Sequence, residues 1–343
     1  MRAERRRCVR DELNAPKIFR LIVFLSLTFS LLRQNDLLCP VATIFQPTES
    51  LSSARVHVFR AGSSPKPFCE DEVISDRFDR SNADQTQSKK IIAYSLFRRN
   101  DTLNFRAFFE GIRFNIREAQ LYYPEWTVRI YALGLSHDEE GLLLKSANNV
   151  ELVRCNFLSA IGTSRSRMMI TRFLAYDDPR VTHVVSRDAD SRFSLRELFA
   201  VNEWLAAGAG FHVMRDHRFH DTEILGGMFG IRMGALGNHS MVSLIHKAFS
   251  DHRNEIPGQT GEDQHFLTLY VWPVVKSSTL SHDIDNSRCE KYGAAVCKDF
   301  PFKYRDEKAN YFVGAALQWE NDDGQIPIGY NCTYSCALVH SIT

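Results

Sequence analysis

Several things are missing from this sequence, and each absence removes a class of function. Over 343 residues the formal net charge is only +1, so no strong overall field draws the chain to nucleic acid or to an anionic membrane. Eight cysteines are present, but no second paired-cysteine motif with zinc spacing accompanies the close pairs, which argues against a structural zinc site. No internal repeat runs along the chain, so a stacked solenoid is not expected. The apolar run at residues 21–32 holds twelve uncharged residues, short of the roughly 20 that a spanning helix usually needs.

What is present points to the secretory pathway. Arg2, Arg5, Arg6, Arg7, Arg10, Lys17 and Arg20 precede that run, and basic residues ahead of an apolar segment direct the following chain across a membrane. Residues 1–17 are expected as a cytoplasmic basic tail and 18–32 as a signal-anchor or signal-peptide segment. A short uncleaved anchor suits the thin membranes of the early pathway, with secretion after cleavage near Pro40-Val41-Ala42 as the alternative. Glycosylation sequons begin at Asn100, Asn238 and Asn331. Cys289 with Cys297, and Cys332 with Cys336, suit local disulfides in an oxidising compartment. Residues 33–88 lack periodicity and are rich in Ser, Pro, Asp and Arg, so they are expected as a stem or linker of low order. Residues 89–343 form the expected folded domain.

Within that domain, strands alternate with helices. Residues 91–97, 126–131, 150–155 and 181–185 read as buried strands, and 105–122, 137–146 and 164–176 as helices with apolar faces. Tyr123-Pro124 stops the first helix, since proline disfavours helical geometry in the residue before it. This alternation implies crossover connections and a mainly parallel sheet. Further on, 211–216 and 224–232 read as strands, 241–249 as a helix, and 261–271 as a helix opened by Gly261-Glu-Asp-Gln-His265. The remainder reads as rich in loops.

Chemistry is expected after the fourth strand. Asp188 and Asp190 sit one residue apart, and Ser194 with Glu197 has the spacing of a capping box for the next helix. In open α/β sheets such a turn, beyond the carboxyl end of a strand, is where ligands bind. Two carboxylates there can hold a divalent cation with a preference for oxygen ligands, Mg²⁺ or Mn²⁺. An exposed acidic turn is the plainer explanation of an isolated Asp-x-Asp. Gly226 and Gly227 allow backbone to approach a ligand closely. Asp216 and Gly227 are expected near the ligand, whereas His217 and His220 are not expected as metal ligands.

Together these stretches resemble a family. Tyr94-Ser-Leu-Phe97, Tyr123-Pro-Glu-Trp126, Arg187-Asp-Ala-Asp-Ser-Arg192, Glu197 to Trp204, His212-Val-Met-Arg-Asp-His217, Ile224-Leu-Gly-Gly-Met228, Asp263-Gln264 and Phe312-Val-Gly314 resemble GT-A type glycosyltransferases, over about residues 89–316. The resemblance implies an α/β, Rossmann-like three-layer domain with a mainly parallel central sheet. It also implies metal-dependent transfer of a sugar from a nucleotide-sugar donor to an acceptor hydroxyl on a glycan, protein or lipid. Asp188 would face the ribose and metal, Asp190 would ligate Mn²⁺ or Mg²⁺, and His282 would complete the metal site. Asp263 and Gln264 match the Asp-Gln that borders the donor sugar in retaining relatives, so retention is slightly favoured. In an inverting enzyme Asp263 or Glu262 would serve as the base. Arg187 or Arg192 would add positive charge at the leaving diphosphate, or simply pair with a nearby carboxylate. The expected place is a Golgi or endoplasmic-reticulum membrane, with a lumenal catalytic domain and no nucleic-acid partner. A phosphohydrolase using Asp-x-Asp and a non-catalytic sugar-binding or scaffold protein are the rivals.

Overall fold

Four apolar strands lie at the centre of the sheet. The computed structural model describes residues 55–58, 69–75, 88–98, 102–155, 168–251, 262–306 and 311–316. Strands β3 (Lys89–Phe97), β4 (Thr127–Leu133), β5 (Val150–Cys155) and β6 (Val181–Arg187) pair in parallel in the order β5-β4-β3-β6. Their Ile, Val and Leu side chains, apart from the half-buried Leu133, are buried toward both faces, as parallel strands covered by helices require.

Two cores lie on the two faces of this sheet, which makes three layers. On one face α1 (Thr102–Tyr122) contributes Phe105, Phe109, Ile112, Ile116 and Ala119, a helical spacing. α2 (His137–Leu144) joins the same core through Leu143 and Leu144, and α3 (Leu195–Ala207) through Val201 and Trp204. Ser136 opens α2 with a complete capping box with Glu139. The opposite core holds Phe173 of a 3₁₀ helix (Ile170–Asp177), Leu244 and Ile245 of α4 (Met241–Asp251), and Val271. The expected α/β three-layer architecture with parallel central strands is present.

Antiparallel strands extend the sheet on both sides. β8 (Met228–Arg232) runs against β6, and β7 (Phe211–Arg215) against β8. α5 (Glu262–Phe266) continues through a π turn (Leu267–Val271) into α6 (Trp272–Val275). β9 (Thr279–Asp283) then adds in parallel to β7. After α7 (Asn286–Tyr292), β10 (Val296–Asp299) adds to β9. On the far edge β2 (Cys69–Ser75) pairs with β5, and β1 (Arg55–Val58) with β2.

Several expectations need correction. The stretch 33–88 is not linker throughout, because it contains β1 and β2, and a Cys69–Cys155 disulfide ties β2 to β5. An acidic run at Glu70-Asp71-Glu72 hid the strand from a reading based on apolar periodicity. The C-terminal part holds two strands and a helix where loops were expected. The strand expected at 224–232 begins only at Met228, after a turn through Gly226 and Gly227. The Cys289–Cys297 disulfide is formed, linking α7 to β10, and Asn238 of the middle sequon lies in an exposed turn. The basic tail, the apolar segment 18–32, Asn100, Asn331, Cys332 and Cys336 lie outside the described residues. Among the described residues no helix is long and apolar enough to cross a membrane.

Candidate active site

The Asp-x-Asp turn is built by the end of β6 and the start of α3. Asp188 and Asp190 follow Arg187 directly, and Ser194 caps α3 by accepting from the Glu197 N–H at 3.2 Å. Helix α1 presses on the turn from one side. A Cβ at Gly111 would stand 2.4 Å from the Ala189 carbonyl oxygen, so only glycine fits there. Asn115 fixes the same turn, donating to the Ser191 carbonyl at 2.9 Å and accepting from Arg192 at 3.2 Å.

The turn before β8 forms a second wall. Ser186 Oγ donates to the Gly226 carbonyl at 2.6 Å. A Cβ at Gly227 would lie 2.1 Å from Asp188 Oδ2, so the backbone closes on the carboxylate and any other residue would push it aside. A Cβ at Gly226 would meet Asp263 Oδ2 at 2.6 Å and Arg172 at 2.8 Å.

Arg172, which the sequence reading did not single out, joins these parts. Its buried guanidinium, reaching from the 3₁₀ helix, donates to Asp188 Oδ1 at 2.5 Å, to Asp263 Oδ2 at 3.1 Å and to the Arg187 carbonyl at 2.9 Å. Asp188 and Asp263, far apart in sequence, thus share one cation. Gln264 follows Asp263 in α5, half-buried, and its N–H supports the Asp263 carboxylate. Burial nevertheless raises Asp263 above the usual carboxylate range, against the pull of Arg172. Asp190 is pushed up to about 6, first by burial and then by the negative charge of Asp188. A cation between the two would relieve that repulsion.

Three of the expected site residues do other work. Arg187 is fully buried and points inward: it donates to Ser191 Oγ at 3.2 Å, to the Arg192 carbonyl at 3.1 Å and to the Gly227 carbonyl at 3.4 Å. It clamps the turn from the inside. Glu197, the capping-box glutamate, faces Arg187 at 3.0 Å instead of returning to the cap, at an angle poor for a hydrogen bond. Burial pushes Glu197 up to about 7 despite that partner. Asp216 is also fully buried. One oxygen accepts from Arg196 Nη2 at 2.8 Å, and the other from Arg196 Nε at 2.7 Å and the Val313 N–H at 2.9 Å. It holds the chain around the site rather than a ligand.

His282 is the third correction. It lies buried in β9, with Nδ1 against His212 Nε2 at 2.8 Å and Nε2 against Glu203 Oε2 at 3.0 Å. Both ring nitrogens are engaged away from the Asp-x-Asp turn. Among the described residues no group of three His, Cys, Asp or Glu side chains converges as a metal site. Asp188 and Asp190 put two carboxylates in one turn, a set that would suit a hard divalent cation.

The last wall comes from the loop after β7 and the segment 311–316. His217 stacks on Phe312 with centroids 4.6 Å apart, and His220 packs edge-on against the same ring. Burial, helped by His217, holds His220 down at about 4, while Asp188 opposes that shift. Ala316 bridges to Ser191, next to Asp190.

No protein-family model and no curated protein matches this chain. Among solved structures it is similar to the galactosyltransferase LgtC in complex with donor and acceptor sugar analogues. That match has 13% identity and a TM-score of 0.42, covering 74% of this chain and 96% of that one. An active-site mutant of LgtC matches at 12% identity and a TM-score of 0.41, covering 74% and 95%. The mannosyltransferase PcManGT from Pyrobaculum calidifontis, in complex with GDP-Man and Mn²⁺, matches at 12% identity and a TM-score of 0.36, covering 66% and 62%.

Proposed function

We propose that this chain is a metal-dependent glycosyltransferase of the GT-A type, moving a sugar from a nucleotide-sugar donor to an acceptor hydroxyl. The observation that carries the reading is the closure of four segments on one carboxylate. Asp188, at the carboxyl end of β6, meets Arg172 at 2.5 Å and the close-lying backbone of Gly227, while Arg172 brings in Asp263. That edge is where α/β sheets bind ligands.

Asp188 and Asp190 would hold Mn²⁺ or Mg²⁺ together with the donor's phosphates. Such an ion, when bound, stabilises the charge that grows on a leaving diphosphate. The chain's own part is to hold the two carboxylates still, through Arg187, Asn115 and Gly111, and to shape the sugar side with Arg172, Asp263 and Gln264. Arg172 keeps Asp263 turned toward the turn and favours its ionised form against burial, and an ionised carboxylate there would suit a role beside a partly positive sugar carbon. Retention of configuration is the favoured course, on the Asp263-Gln264 pair.

A lumenal Golgi or endoplasmic-reticulum location belongs to this reading, with anchoring through residues 18–32. It is supported by two disulfides in the folded part, which persist in oxidising compartments. The test is a panel of nucleotide sugars with Mn²⁺, read by thermal stabilisation and by release of nucleoside diphosphate. Stabilisation by one nucleotide plus metal, lost in Asp190→Ala while the fold is kept, is the expected result. Release of phosphate from simple phosphoesters without nucleotide dependence would overturn it.

A further inference from the structure

We infer that the loop from His217 to His220 is the acceptor subsite, and that the acceptor is a carbohydrate whose ring stacks on Phe219. This inference rests on the transfer reading and adds to it the chemical class of the acceptor.

Phe219 is the most exposed large apolar side chain among the described residues, at 74%. Scattered exposed apolar residues are ordinary, but this one is not on a loose loop. Arg288 donates to the carbonyls of His217, Arg218 and His220, three of the four loop residues. The Phe219 N–H donates to His217 Nδ1 at 3.3 Å. Below, His217 is stacked on Phe312, and Val313 is tied to Asp216. The chain thus spends a buried ion pair, an arginine and an aromatic stack on presenting one phenylalanine to solvent.

The surroundings suit a sugar. An aromatic face offers a flat apolar surface with polar groups at its margin, the combination that orients polyhydroxylated ligands. Arg218 covers one face of the ring at 4.7 Å and His217 lies beside it at 5.2 Å, so the sugar would stack on the opposite face. No carboxylate competes within the four residues. Asp221, which follows, is already bonded to Lys291 and Tyr292.

Position favours the acceptor over the donor. The carboxyl ends of the parallel block β5-β4-β3-β6 lie on one side of Asp188, and a nucleotide bound there would carry its diphosphate to the Asp-x-Asp turn. The loop follows β7, which is separated from β6 by β8, so it borders Asp188 from the other side. His217 of the loop stacks on Phe312, and Ala316 of the same short segment bridges to Ser191 in the Asp-x-Asp turn. A group seated on Phe219 would therefore meet the transferring sugar from the side away from the nucleotide.

The experiment uses the full chain with Mn²⁺ and the nucleoside diphosphate that stabilises it. Ligand-observed NMR would measure binding of methyl β-galactoside, methyl β-glucoside, methyl α-mannoside and methyl β-N-acetylglucosaminide. At least one should bind saturably to the wild type and roughly tenfold more weakly to Phe219→Ala. Phe219→Trp should restore binding, and nucleotide stabilisation should be equal in all three proteins. Nucleotide binding without any glycoside binding, or equal glycoside binding by Phe219→Ala, would overturn the acceptor subsite alone. Loss of nucleotide stabilisation in Phe219→Ala would reassign the loop to the donor. No stabilisation of the wild type by any nucleotide would overturn the transfer reading and the acceptor role with it.

Discussion

Asp216 offers the clearest test of how the site is held. Its carboxylate has no solvent exposure, and its partner Arg196 has a side-chain exposure of only 6%. Asp216→Ala would leave the Arg196 guanidinium buried between the Phe300 ring, 4.1 Å away, and the Phe302 carbonyl. Neither contact carries negative charge. Removing one partner of such a pair costs about 3–5 kcal/mol, a large part of the roughly 5–15 kcal/mol that holds a domain folded. Asp216→Asn keeps one oxygen for Arg196 Nε and the Val313 N–H but loses the charge and sets its amide donor against Arg196 Nη2, so it should cost about 3 kcal/mol, the lower end of that range. The combined Arg196→Met, Asp216→Leu variant leaves no stranded charge and should be less damaged than Asp216→Ala, since buried pairs can be replaced by apolar side chains at little cost. Arg305, 3.3 Å from Asp216 but partly exposed, can turn to water. Urea denaturation at neutral pH, followed by tryptophan fluorescence, measures all three. A loss below about 1 kcal/mol for Asp216→Ala, or a double variant worse than the single, would refute the assignment of Asp216 as a buried brace.

Three further outcomes follow from the structure. Gly227→Ala puts a methyl 2.1 Å from Asp188 Oδ2; it should abolish stabilisation by nucleotide and Mn²⁺ while the melting temperature without ligand moves by only a few degrees, roughly the effect of 1 kcal/mol. Glu118, half-buried in α1 with Oε2 unbonded, is raised from 4.5 to about 7, first by desolvation. Its contribution to stability is therefore full below the unfolded value and lost as pH rises through about 7. Glu118→Gln cannot lose that proton, so it should gain on the wild type by up to about 3 kcal/mol between about pH 5 and pH 8 in urea titrations, and an equal gap at both pH values would remove burial as the cause. Cys69→Ala opens a loop of sequence separation 86 and Cys289→Ala one of separation 8; by chain entropy the first should cost up to about 4–5 kcal/mol and the second up to about 2–3 kcal/mol, and the reverse order would contradict that account.

Much of the central fold could be read from the sequence because its signals are local. The runs in β3 to β6 are apolar enough to be buried whichever neighbour they pair with, and α1 shows its face by spacing alone. The edges were illegible for the opposite reason. β9 reads Thr-Leu-Ser-His-Asp, three polar residues in a row, yet all five are buried. Arg215 of β7 satisfies Ser281 and Asp283, while His212 and Glu203 satisfy His282. A polar strand is stable only if its partners lie opposite, and those partners lie about 70 residues away in the chain for His212, whose separation from His282 is 70.

The same contrast separates the parts of the site. Asp188 and Asp190 were visible because a pair of acids between a buried strand and a helix cap is a local pattern. Arg172 was not, because an arginine in a helix is ordinarily a surface residue, and its meaning depends on Asp188 and Asp263, 16 and 91 residues away. Arg187 and Asp216 were noticed for their charge and assigned to the ligand, but charge in sequence does not say which way a side chain faces. Arg187 faces the interior because β6 alternates its sides and α3 places Glu197 on that side, 3.0 Å away. Glu197 itself kept the spacing of a capping box while serving Arg187. The two acids are held by groups that resemble ligand contacts in sequence and act as framework in space, and a substitution in that framework should alter metal and nucleotide binding without touching either.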